Sequence, residues 1–88
     1  ADDARAVLVT ALADVSRGDR AALRKLYSLT SAKLFGICLR ICGNTASAED
    51  VLQTVYLKVW DRAGQFEAER ASPMTWLATI ARNAAIDW

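Results

Sequence analysis

Apolar residues return at helical spacing almost from the start of the chain. Val7, Leu8, Ala11, Leu12 and Val15 fall on one face of a 3.6-residue period. The run Ser16-Arg17-Gly18-Asp19 breaks that pattern and puts a glycine where a helix commonly ends in a left-handed residue, so a first helix is expected to stop near Ser16. Asp19 is placed to cap a second helix, the longest. Its apolar positions Leu23, Leu26, Tyr27, Leu34, Ile37, Cys38 and Ile41 continue to Gly43-Asn44. Ser47 is the expected cap of a third helix, with Glu49 and Asp50 in a first turn that favours carboxylates, and this helix should reach about Ala63. Residues 64–71 are polar and irregular. Ser72-Pro73 then pairs a cap residue with proline at the first helical position, opening a fourth helix that runs to the end. Four helices joined by short turns, with no internal repeat, predict an all-α fold, a small four-helix bundle.

Two helical faces do not fit a plain core. On a wheel of the third helix, Leu52, Val55, Tyr56 and Val59 share one side, while Asp50, Gln53, Thr54, Leu57 and Asp61 share the other. Leu57 among polar residues is either an ordinary exposed leucine or the centre of a partner-binding patch, and the pattern leaves both open. In the fourth helix Leu77, Ile80, Ala81, Ala84 and Trp88 form the expected core stripe; Thr79, Arg82 and Ile86 face away, and Asn83 sits at the boundary beside Trp76. An Arg–Asn pair on a helix surface is usually solvated, but Arg suits phosphate and Asn suits a base edge, so the pair is compatible with nucleic acid. Of the aromatics able to stack on unpaired bases, Trp60, Trp76 and Trp88 are accounted for by the core. Phe66, in the polar loop, has no evident packing role.

Composition narrows the function classes. Eighty-eight residues, 53% of them apolar, with one proline and four glycines, suit one compact helical domain. A net charge of +1 predicts no strong nonspecific grip on duplex DNA. The charge is nevertheless segregated: residues 20–46 carry Arg20, Arg24, Lys25, Lys33 and Arg40 and no acid, a local +5, which suits a solvated face or a polyanion-facing one. There is no histidine, and the only cysteines are Cys38 and Cys42. They are expected to be reduced thiols in a cytoplasmic protein, with no metal and no cofactor. One turn apart, they would constrain little if joined. The longest uncharged stretch, residues 71–81, is too short for a membrane span, which takes about 20 apolar residues. No paired-carboxylate cleft or phosphate-cradling glycine loop suggests an enzyme.

The segments Ala48-Glu49-Asp50-Val51-Leu52-Gln53, then Tyr56 and Trp60, then Ser72-Pro73-Met74-Thr75-Trp76-Leu77-Ala78-Thr79-Ile80-Ala81-Arg82-Asn83 and Asp87 resemble region two of extracytoplasmic-function (ECF) sigma factors. That family joins an AED-x-x-Q helix to a W-L-x-x-I-A-R-N helix. The upstream Gly18-Asp19, Ala22-Leu23 and Tyr27 extend the resemblance over nearly the whole chain. It implies that the third helix docks on the clamp coiled coil of the largest subunit of core RNA polymerase, through Asp50, Gln53, Thr54 and Leu57. The family often has an acid where Thr54 stands. It also implies that residues 65–72, including Phe66, Glu67 and Ser72, capture a base flipped from the nontemplate strand of the promoter −10 element. Asn83 would help form the pocket, Arg82 and the basic second helix would supply backbone contacts, and Thr79 is a further DNA-binding candidate. Extruding a base costs a few kcal/mol, recovered by hydrogen bonds to its edge and packing around it. Where housekeeping relatives wedge the duplex with two tryptophans, this chain has Trp76 followed by Leu77.

On this resemblance the chain is expected to be one domain, 1–88, excised from a longer protein, without region four and without the arginines that usually follow. Two other readings stand beside it: a regulatory domain whose main partner is an anti-sigma factor, and a redox adaptor built on Cys38 and Cys42, which would need accessible thiols of depressed pKa. A monomer is expected, with Leu57 and the end near Trp88 as surfaces for weak self-association.

Overall fold

The structure, a computed structural model, describes residues 2–88. It is the predicted all-α fold: α1 (Asp2–Ser16), α2 (Arg20–Cys42), α3 (Thr45–Arg62) and α4 (Pro73–Asp87), with a short 3-10 turn, Ala63–Gln65, after α3. The punctuation residues act largely as their chemistry dictates. Gly18 and Gly43 both adopt left-handed backbone, with φ of 89° and 82°, a region that a side chain makes costly. The Gly43 N–H closes α2 on the Leu39 carbonyl at 2.9 Å. The Asp19 carboxylate accepts from the Ala22 amide at 3.1 Å, and the Ser72 hydroxyl accepts from the Thr75 amide at 3.1 Å.

The start of α3 corrects the expectation from Ser47. Asn44, in extended conformation, is the cap, and its side-chain oxygen accepts from the Ser47 amide at 2.8 Å. Ser47 is therefore the third residue inside the helix. Asn caps as well as Ser does, and the segment Asn44-Thr45-Ala46-Ser47 offers three cap-competent residues, so composition does not choose among them.

α2 lies at the centre and packs against the other three helices. The core is drawn from every element: Leu12 and Val15 of α1, Leu26 and Leu34 of α2, Val55 and Val59 of α3, and Leu77 of α4 are essentially inaccessible to solvent. Each such side chain contributes about 1.5–3 kcal/mol relative to an exposed position. Among the described residues one polar side chain, Thr30, joins this core. The Thr30 hydroxyl donates to the Leu26 carbonyl at 2.7 Å and lies 2.6 Å from the Tyr56 hydroxyl. Because a hydroxyl has one proton to give, Tyr56 is the donor in the second bond. Among the described residues no buried side-chain nitrogen or oxygen lacks a partner.

Several apolar positions lie outside the core that periodicity assigned them. Tyr27 is 46% exposed, its ring tilted against Tyr56 at a centroid distance of 4.8 Å. Val7 and Ile41 are also exposed. Trp88 is not core: its backbone N–H closes α4 on the Ala84 carbonyl, and the residue is 63% exposed. Periodicity gives the direction a side chain faces, whereas burial also needs a neighbouring element at that height along the helix. Phe66 departs the other way. It is half-buried and meets Trp76 edge-on at 5.5 Å, so the loop aromatic does have a packing role. The loop is further tied to α1 by the Arg5 guanidinium, which donates to the Ala68 carbonyl at 2.7 Å. No helix among the described residues is long and apolar enough to cross a membrane.

Candidate functional site

α3 divides cleanly. Val51, Leu52, Val55, Tyr56 and Val59 face the core, and Asp50, Gln53, Thr54 and Leu57 are all exposed on the opposite side. Asp50, Gln53, Thr54 and Leu57 are thus brought together along about two turns of one rigid helix. The Asp50 and Gln53 side chains have no hydrogen-bond or ion-pair partner among the described residues, so their donors and acceptors are free for a ligand. The Thr54 hydroxyl makes only a long 3.5 Å contact with the Asp50 carbonyl. Gln53 also borders a groove shared with Tyr27, Ser31 and Phe35 of α2. Leu57 is 69% exposed, the highest value among the large apolar side chains, and it does not stand alone. It lines a groove with Leu23, Tyr56 and Trp60, and Arg20 and Arg24 of α2 stand in the same lining.

The second set is less unified. Thr79, Arg82 and Asn83 are exposed on α4, and neither Arg82 nor Asn83 has an intramolecular partner among the described residues. Thr79 points its hydroxyl back to the Thr75 carbonyl at 2.9 Å. The Ser72 hydroxyl is engaged in the helix cap and with the Thr75 hydroxyl at 2.8 Å, so its first role is to start α4. Glu67 pairs with Arg70 at 3.0 Å, both well exposed. Phe66 and Glu67 border a depression against Val9, Ala13 and Ser16 of α1, not the groove beside Thr79 and Arg82.

Comparison with known proteins places this geometry. The Sigma-70 region 2 family matches residues 26–88, which takes in most of α2, all of α3 and α4 and the loop between them. The chain belongs to the sigma-70 region 2 family. It is similar to the ECF RNA polymerase sigma factor SigK of Mycobacterium ulcerans, 33% identical over 76 residues that cover 86% of this chain and 41% of that protein. The SigK proteins of Mycobacterium tuberculosis strain H37Rv and Mycobacterium sp. strain KMS are 33% and 34% identical, covering 83% and 86% of this chain and 39% of each relative. With the family match, these relatives make it a region 2 domain of the ECF kind. The chain spans about two fifths of the length of the relatives it matches.

In this region 2 domain the titratable groups of the interior are structural. Burial pushes the Tyr56 hydroxyl up to about 12. Burial also raises the Cys38 thiol, with a smaller push from neighbouring Cys42. Cys38 is inaccessible and its thiol is raised, and Cys42 is half-buried, whereas a redox adaptor requires accessible thiols with Cys38 acidified. Sequence reasoning missed Arg20 and Arg24 as neighbours of Leu57. They are more than thirty positions away along the chain, and the only available signal was the acid-free run that contains them.

Proposed function

We propose that this domain is the part of an alternative sigma factor that docks on core RNA polymerase and, held there, reads and opens the promoter −10 element. The observation that carries the reading is the uncovered face of α3. Asp50, Gln53 and Leu57 stand in line over a sealed core, and two of them have unsatisfied polar groups. An exposed acid and amide beside an exposed leucine suit a partner helix that offers a cation, an amide and an apolar side chain, and the clamp coiled coil of the largest polymerase subunit is the partner the family uses. Arg82 and Asn83 on α4 are the second functional pair, a phosphate contact and a base-edge contact with no competing intramolecular partner. The role is one of binding and melting rather than bond chemistry. Opening rests on base capture, since Trp76 is followed by Leu77.

The test is calorimetric titration of the domain with a fragment of the clamp coiled coil, alongside Asp50→Lys and Gln53→Ala. Saturable binding that is lost in Asp50→Lys and weakened in Gln53→Ala is expected, with the thermal midpoint of each variant within a few degrees of the parent. Equal binding by Asp50→Lys removes the docking role of this face.

A further inference from the structure

The outer part of the loop between α3 and α4 is joined to the rest of the domain by a single polar contact. Phe66 is held at one end by its bond to the Ala63 carbonyl and its edge-on meeting with Trp76, and Ser72 at the other by the cap of α4. Between them the Arg70 and Ala71 amides donate to the Glu67 carbonyl at 3.0 and 3.2 Å, and Glu67 pairs with Arg70, so these bonds close the segment on itself. Among the described residues, the 2.7 Å bond from the Arg5 guanidinium to the Ala68 carbonyl is the only hydrogen bond or ion pair that joins residues 67–71 to another element. α1 presents a whole face to this loop. Leu8, Leu12 and Val15 serve the core, while Arg5, Val9, Ala13 and Ser16 recur at helical spacing on the adjoining face. Val9, Ala13 and Ser16 border the depression against Phe66, Glu67 and Ala68, and Val9 and Ala13 are half-buried.

We infer that α1 preorganises the base-reading loop and that Arg5 is its positioning residue. The inference rests on the base-capture reading of residues 65–72 and adds to it a helix that precedes the matched family segment, residues 26–88. Arg5 touches no DNA in this role. Its bond goes to main chain, so it sets the path of the loop whichever side chains the loop carries, and Glu67 and Glu69 stay exposed. A loop already held in one path loses less conformational entropy when a base is captured. Selectivity gains more than affinity does. A fixed pocket rejects a base it can neither pair nor fit, whereas a loop free to move adjusts to a second base. Phosphate contacts elsewhere on the domain carry no sequence information and are indifferent to the order of this loop.

The test compares the parent chain with Arg5→Ala, Arg5→Lys, which keeps a cationic donor, and Arg17→Gln, which removes a charge from the end of the same helix, where Arg17 pairs with Asp14. Amide exchange followed by NMR reads the loop itself. In Arg5→Ala the Arg70 and Ala71 amides should exchange about threefold to tenfold faster, the range for one hydrogen bond, while Leu77 in the core stays within about twofold of the parent. Affinity for short single strands of oligo-dA, oligo-dC and oligo-dT, measured by fluorescence anisotropy, reads the consequence. The ratio of tightest to weakest strand should shrink about threefold in Arg5→Ala, recover in Arg5→Lys and stay at the parent value in Arg17→Gln. If loop exchange is unchanged in Arg5→Ala, or the parent's selectivity is retained there, Arg5 positions nothing and the base-capture reading survives. If exchange rises throughout the domain, the residue is merely structural and the inference is again wrong. A parent that binds all three strands alike, or none, sinks the base-capture reading and the inference with it.

Discussion

Replacing Tyr56 by phenylalanine removes a single oxygen, and the structure sets what that should cost. The hydroxyl donates to Thr30, 2.6 Å away, from a residue that is 6% exposed, across the contact that fixes α3 against α2. A neutral hydrogen bond of this kind is worth about 1 kcal/mol net, and Thr30 keeps its own donor bond to the Leu26 carbonyl in the variant, so Tyr56→Phe should lose about 1 kcal/mol. Thr30→Val is worse, at about 2 kcal/mol, because it leaves the buried Tyr56 hydroxyl without an acceptor. The double variant leaves no orphan and should cost little more than Tyr56→Phe, a coupling of about 2 kcal/mol in the double-mutant cycle. Urea unfolding at neutral pH with unchanged m-values measures all three.

Alkaline pH gives an independent readout of the burial of the same hydroxyl. The native Tyr56 stays protonated to about 12, whereas in the unfolded chain it ionises near its ordinary value of about 10. Above pH ~10 the unfolded state therefore binds fewer protons than the native state, and stability falls as pH rises toward about 12, at up to about 1.4 kcal/mol per unit. The parent should lose about 2 kcal/mol more than Tyr56→Phe by pH ~11.5. Additive single-variant costs, or parallel pH profiles for parent and Tyr56→Phe, would refute the claim that this hydroxyl is buried and bonded.

Further outcomes follow from the surfaces. Leu57→Ser removes an exposed side chain and should change stability by no more than about 0.5 kcal/mol, yet weaken the clamp fragment about tenfold in calorimetry; unchanged affinity would make Leu57 an ordinary exposed leucine. With core polymerase and promoter DNA, Asn83→Ala should reduce open-complex formation, followed by permanganate footprinting, more than it reduces binding to core polymerase. Equal loss of both would count against base reading. Thiol labelling of the native domain should be biphasic, Cys42 reacting first and Cys38 at a rate that tracks unfolding; equally fast reaction at both would contradict the burial of Cys38.

Much of this domain is written in local chemistry. The left-handed stops at Gly18 and Gly43, the Asp19 cap and the Ser72-Pro73 start depend on a few neighbouring residues, and they mark the ends of α1 and α2 and the starts of α2 and α4 from local chemistry alone. The division of α3 was legible for the same reason, since a helix repeats its faces regardless of what lies beyond them. The start of α3 was not, because Asn44, Thr45 and Ser47 all have cap chemistry and the choice depends on where the chain leaves Gly43. Burial was legible only in direction. Trp88 and Tyr27 continue apolar stripes but are left outside, and Phe66, in a polar loop, is drawn in by Trp76 and the core. The two grooves belong wholly to the tertiary structure. Leu57 meets Arg20 and Arg24, and Arg82 meets Arg40, only because α2 runs through the middle of the bundle and lends each end to a different neighbour. The sequence by itself determined which residues are charged, which are apolar and where the helices turn; which of them share a surface was decided by how the helices pack, since contacts between residues far apart in the chain leave no periodic trace in it.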